Sequence, residues 1–152
     1  MQILLTYDRL GSRVRSVGDI QVTYDRLGSR PSTLGRWQLG YDRLGARLRS
    51  IGPYGLDYDR MGSRTSRLGT WRVEYDRLGS RLRAVGPYRV EYDHLGSRVS
   101  RVGEMRLSYD HLGTRPRTVD IPGDDLAEAD LLALYFVLHH IHEVEDRRRS
   151  SS

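Results

Sequence analysis

Tyr7-Asp8-Arg9-Leu10-Gly11-Ser12-Arg13 decides the fold, because it returns almost unchanged every 17 residues, at Tyr24, Tyr41, Tyr58, Tyr75, Tyr92 and Tyr109. All seven copies keep the Tyr, the Asp, the Gly and the final Arg; the residue before Gly is Leu or, once, Met61. Self-similarity at a short fixed period marks a repeat architecture and outranks local propensity.

Outward from that core, the residues leading into each Tyr alternate: Ile20, Val22 and Tyr24 on one face, Gln21, Thr23 and Asp25 on the other. The same period of two recurs at Trp37/Leu39/Tyr41, Trp71/Val73/Tyr75 and Met105/Leu107/Tyr109, and it predicts a half-buried strand. Asp-x-Leu-Gly then reads as a type I turn with a left-handed Gly. The predicted second strand, Ser12 to Val17 in the first unit, ends at Gly18, and Gly followed by one variable residue suits a two-residue type II′ turn. On the second strand Val14 and Val17, like Leu48 and Ile51, stand three apart and would face opposite ways on a straight strand. A β-bulge there brings both inward and spares seven Arg from burial beside seven Tyr. Pro31 and Pro116 occupy the Val14 position, where an N–H is then dispensable.

A weaker order has a period of 34 residues: Arg15, Arg49, Arg83 and Arg117 alternate with Ser32, Ser66 and Ser100, and Trp37 and Trp71 with Tyr54 and Tyr88. Neighbouring hairpins can thereby interlock large against small.

The repeats end where Asp120 replaces Gly and Ile121-Pro122-Gly123 follows. Asp125 and Glu128 have the spacing of a capping box, and Leu126 to Asp146, free of Gly and Pro, predicts one helix about 31 Å long. Between Leu131 and Leu138 its only polar side chain is Tyr135, a pattern that demands burial all round. The apolar run to Ile141 is about 11 residues, where a membrane span needs about 20. It matches the height of a barrel wall, and a barrel of about 12 to 14 strands is too wide for its own side chains to fill. The alternative, a helix laid on an open curved sheet, leaves part of its apolar circumference wet.

The expected fold class is therefore an all-β repeat, an up-and-down antiparallel meander of about 14 short strands, closed or nearly closed into a barrel, with one C-terminal helix plugging it. Leu131, Leu134, Tyr135 and Leu138 are the expected plug residues, with Leu134, Tyr135 and Leu138 bearing on different sides of the helix. One domain spans 1–152, with hairpin repeats over 3–119, the helix within 124–146 and a disordered tail over 147–152.

Composition narrows the function classes. There is no Cys, so disulfide and thiolate chemistry are excluded, and no signal-peptide pattern opens the chain, which points to the cytoplasm. All 25 basic residues are Arg, with neither Lys nor Asn, a bias of high-GC bacterial genomes. Residues 1–120 carry a net charge of +9 and the remainder −4. Such a surface can attract polyanions or simply be a solvated face paired with its own Asp.

Tyr24, Asp25, Leu27, Gly28 and Arg30, with Tyr75, Asp76, Leu78, Gly79 and Arg81, represent the repeat as core anchor, turn former, turn cover, left-handed residue and cross-strand partner. Seven equivalent copies argue against catalysis, and no nucleophile with a base, phosphate-cradling loop or cofactor motif accompanies them. His139, His142 and Glu143 are weak metal candidates; His near a helix C-terminus is favourable on dipole grounds alone.

The Tyr-Asp-x-x-Gly-x-Arg core over residues 3–119 resembles the YD repeats of Rhs and teneurin-type shells, whose β-hairpins coil around an enclosed polypeptide. The period here is shorter, and Ser12 and its equivalents displace the Arg usual after Gly. In architecture alone the chain is similar to tubby and scramblase-like barrels, which thread an apolar helix through a closed sheet. Three functions are compatible with these features: a non-enzymatic structural or protein-interaction module with a protein partner or itself, a polyanion or nucleic-acid binder, and a lipid or apolar-ligand carrier with a displaceable helix.

Overall fold

A computed structural model describes residues 1–8, 13–26, 30–43, 47–60, 64–77, 81–96, 98–111 and 113–150, the side chains of 148–150 excepted. Fourteen strands follow in order: β1 (Gln2–Tyr7), β2 (Val14–Val17), β3 (Ile20–Tyr24), β4 (Pro31–Leu34), β5 (Trp37–Tyr41), β6 (Leu48–Ile51) and β7 (Tyr54–Tyr58), then β8 (Thr65–Leu68), β9 (Trp71–Tyr75), β10 (Leu82–Val85), β11 (Tyr88–Tyr92), β12 (Val99–Val102), β13 (Met105–Tyr109) and β14 (Pro116–Asp120). Each pairs antiparallel with its neighbours, and β1 pairs with β14 to close the barrel, Ile3 opposite Val119. One helix, α1 (Glu128–Ser150), follows.

The bulge forms as the three-residue spacing requires. Tyr7 lies opposite Val14 but Thr6 opposite Ser16, so Arg15 is the extra residue. The same shift recurs in the other hairpins. Leu48 and Ile51 are consequently both buried, with Arg49 exposed between them. Gly18 has φ +60° between the paired Val17 and Ile20, which fits a two-residue type II′ turn. At the other end Gly96, at φ +74°, donates its N–H to the Asp93 carbonyl, as the type I reading expects. Gly113 makes the equivalent bond to Asp110. Leu27, Gly28, Leu78 and Gly79 lie outside the described residues. Leu95, the described copy of the turn Leu, is 78% exposed, so at that copy it covers nothing.

The Gly-x turns line the lower mouth, and the turn Asp93–Gly96 lies at the upper, with the aspartates that follow the other strand-ending tyrosines. The chain leaves β14 at the lower mouth, turns beneath the barrel, and sends α1 up its axis. Tyr54 donates to Glu128 at 2.5 Å and Tyr88 to Asp130 at 2.6 Å, fixing the foot of the helix against the lower rim. Residues 131–138 are all buried. Leu131, Leu134, Tyr135 and Leu138 do not bear on different sides, because positions i, i+3, i+4 and i+7 share one stripe of a helix. Enclosure is established by the opposite stripe, where Leu132 is 2% exposed and Ala133 and Val137 are fully buried.

The helix begins later than a capping box at Asp125 would place it, since its first bond runs from the Leu131 N–H to the Ala127 carbonyl. The segment before it is needed to pass under the rim. It also continues to Ser150, so residues 147–150 are helical and not a disordered tail. Arg147 suits the last turns, where a cation complements the helix dipole. Among the described residues no helix is long and apolar enough to cross a membrane.

Candidate functional site at the upper mouth

The repeated residues assemble a ring around the upper mouth. Each Tyr ends the first strand of its hairpin, pointing inward, with its hydroxyl at the neighbouring bulge. Tyr24 donates to the Val14 carbonyl at 2.8 Å, Tyr41 to Pro31, Tyr58 to Leu48, Tyr75 to Thr65 at 2.9 Å and Tyr109 to Val99. Tyr7 donates to Pro116 at 2.8 Å, which carries the ring across the closing seam. Burial pushes the Tyr24, Tyr41, Tyr75 and Tyr92 phenols up to about 12.

The Arg after each turn has a fuller role than cross-strand partner. Its Nε meets the Asp that opens the same turn, at 2.7 Å for Arg13–Asp8, 3.3 Å for Arg30–Asp25 and 3.0 Å for Arg81–Asp76. Its guanidinium then lies over the Tyr of the next hairpin, 4.4 to 4.8 Å from the ring centroid in six units. An Asp, an Arg and two Tyr thus brace each junction, with cation–π attraction added to a charge-assisted hydrogen bond. The seventh unit differs. Arg115 stands beside the seam and turns to Glu145 of α1. Their Nη2 and Oε2 meet at 2.8 Å, an ion pair off the hydrogen-bonding axis, with the side chains 19% and 14% exposed. Asp110 pairs with Arg117 instead.

Tyr135 faces β3 to β5, where burial and then Tyr41 and Tyr24 hold its phenol far above the ordinary range. On the other side, between α1 and the wall from β7 to β13, a cavity of about 890 Å³ opens at the upper mouth. Phe136 and Ile141 supply its apolar helix side, Tyr75 and Tyr92 its wall, and Arg81 and Arg98 its rim.

His140 points into this cavity, 6.3 Å from the Tyr75 ring, and burial lowers its pKa to about 4. The neutral form is the one compatible with the folded barrel. The unfolded chain binds the proton from pH 6.5 downward, so this contribution to stability is complete above about 6.5 and is lost as pH falls toward 4. Replacing His140 by Gln should flatten that limb of the acid profile, measured as the urea midpoint at pH 7 against pH 4.5. An unchanged midpoint difference would remove His140 from the account.

His139 and Glu143 come together, 3.2 Å apart, but His142 pairs with Asp146 at 3.8 Å. The three candidates thus form two separate i,i+4 pairs. Among the described residues no three His, Cys, Asp or Glu converge as a metal set.

Sequence periodicity missed the ring because each of its bonds joins neighbouring hairpins. A signal existed: from Tyr24 on, each Tyr and the inward residue ten positions before it recur in all six units. His140 and the Arg115–Glu145 pair had no comparable signal. Comparison with the models of known protein families gives no match, and neither curated proteins nor solved structures match the chain.

Proposed function

We propose that the chain is a non-enzymatic structural and protein-interaction module whose hairpins are a short form of the YD repeat, acting in the cytoplasm through its outer wall. The observation that carries this reading is the composition of that wall over β1 to β7. Thr6, Gln21, Thr23, Thr33, Gln38, Gly40, Ser50 and Gly55 on its outward side are uncharged, in a chain of 30% charged residues, and its charges are confined to Asp57 on β7 and to Arg15 and Arg49 at the bulges. Short side chains there let a second protein approach the sheet closely, with few charges to desolvate. The Tyr, Asp and Arg of the repeat, by contrast, are used to brace one another. A photocrosslinker placed at Thr33 in host cells should give a discrete adduct, and one at Arg89 on the opposite wall should not. No adduct at Thr33, or equal adducts at both, would reject the reading.

A second reading, polyanion binding, is favoured by the register of the other half. Arg67 lies directly opposite Arg72, and Arg101 opposite Arg106. Like charges in direct cross-strand pairs are destabilising. Bound phosphates would relieve them, and binding would weaken steeply with salt. Arg72→Glu, which places an acid directly opposite Arg67, should raise thermal stability while weakening binding to a 20-nucleotide single-stranded DNA in an anisotropy titration. Wild-type protein that leaves the anisotropy unchanged at low salt would eliminate this alternative.

A further inference from the structure

We infer that the crescent cavity at the upper mouth is a binding site for an anionic amphiphile, a carboxylate or phosphate ester carried on a hydrocarbon body. The inference goes beyond the outer-wall reading and depends on no part of it. A volume of about 890 Å³ lies in the range of small-molecule sites, and it opens at the upper mouth, above the buried stretch 131–138 of α1. Its inner surface is graded. Phe136, Ile141 and Val144 line the helix side, Val99 and the tyrosine rings the wall, and the arginines stand where the cavity meets water. Apolar matter below and hydrogen-bond donors at the rim fit a molecule with the same polarity along its length.

The donors are held in advance. Arg81 uses Nε on Asp76, Nη1 on the Gly96 carbonyl, and its plane on the Tyr92 ring. Arg98 uses Nε on Asp93, Nη1 on the carbonyls of Asp110 and Gly113, and its plane on the Tyr109 ring. Among the described residues neither Nη2 has a partner. Two guanidinium edges on adjacent hairpins are therefore fixed, each with an amino group to spare. Arginine at fixed orientation is suited to planar, forked acceptors such as carboxylate and phosphate. Their aspartates balance their charge, so recognition comes from directed donors rather than from a net field.

The acids of the lining do not oppose an anion. Asp93 is taken by Arg98, Glu143 by His139 and Glu145 by Arg115. The face around the opening suits the same chemistry: Arg26, Arg43, Arg60 and Arg77 follow the turn aspartates and are exposed, and Leu95 projects beside the cavity. An amphiphile could therefore arrive free in solution or from a bilayer.

Two probes separate those sources: monomeric dodecanoate, titrated calorimetrically below its micellar concentration, and phosphatidylglycerol vesicles, in a flotation assay. Val144→Trp fills the crescent from the helix side without removing any residue of the ring of Tyr and Arg, and Arg98→Gln removes one rim donor. Wild-type protein should bind at least one probe saturably, with affinity falling tenfold or more in both variants while far-UV spectra and cooperative melting are retained. Dodecanoate binding would identify a free ligand, and vesicle binding alone a membrane-borne one. Should Arg98→Gln fail to fold, Val144→Trp alone decides. No saturable binding of either probe, or equal binding by wild type and Val144→Trp, would overturn the site.

Discussion

Leu132→Ala and Leu134→Ala are each expected to lower unfolding free energy by about 2 to 5 kcal/mol, in urea denaturation followed by far-UV circular dichroism. Two positions apart, these side chains leave the helix about 160° from each other, yet they are 2% and 0% exposed. Only a helix with wall on every side makes both deletions costly, because in each case a cavity opens that the closed sheet cannot collapse to fill. A helix lying on a sheet would tolerate one of them as a surface change worth about 0.5 kcal/mol. Removing residues 124–152 entirely should leave an apolar interior lined by Leu5, Leu39, Leu56, Leu68 and their equivalents, and the truncated chain should aggregate or collapse. A soluble, monomeric and cooperatively folded truncation would refute the plug.

The period of 17 made the hairpins, the bulge and the meander legible, since each follows from residues adjacent in sequence and repeated seven times. The helix was legible because Tyr135 is the only polar side chain over 131–138, and its length named the barrel as its container. Its limits were less so. Asp125 and Glu128 have the right spacing for a cap, but the chain must first clear the lower rim, a tertiary demand no local pattern expresses. The site was hidden for a related reason. The seventh Arg is captured by the helix, Tyr135 lies toward Tyr41 and Tyr24, and the cavity is lined by the wall from β7 to β13, so the surroundings of the helix do not follow the symmetry of the wall. A strict repeat predicts equivalence all round and gives no sign of where it breaks.

Gly86→Ala should be far more damaging than Gly18→Ala, although both glycines open the same kind of turn at nearly the same φ, +56° and +60°. An L-residue in that left-handed region costs about 1 to 2 kcal/mol, and both variants bear that cost. The difference comes from the preceding hairpin, whose first inward residue lies over the glycine. At Gly18 an added Cβ would sit 3.5 Å from Ile3 Cβ, an ordinary contact. At Gly86 it would fall 2.4 Å from Cγ and 2.8 Å from Cβ of Trp71. Rotating the indole cannot relieve a clash with its own Cβ, so the strand or the turn must move, against a ring packed 5.4 Å from Tyr88. We expect Gly86→Ala to lose about 2 kcal/mol or more beyond Gly18→Ala, in the range of overpacked cores. Trp71→Ile installs the side chain that stands at Ile3 and Ile20, and it should recover part of that loss in the Gly86→Ala background while costing stability in the wild type. Equal losses at Gly18 and Gly86, or a double variant whose loss is the sum of the two singles, would show that the aromatic ring does not constrain the turns of the lower mouth.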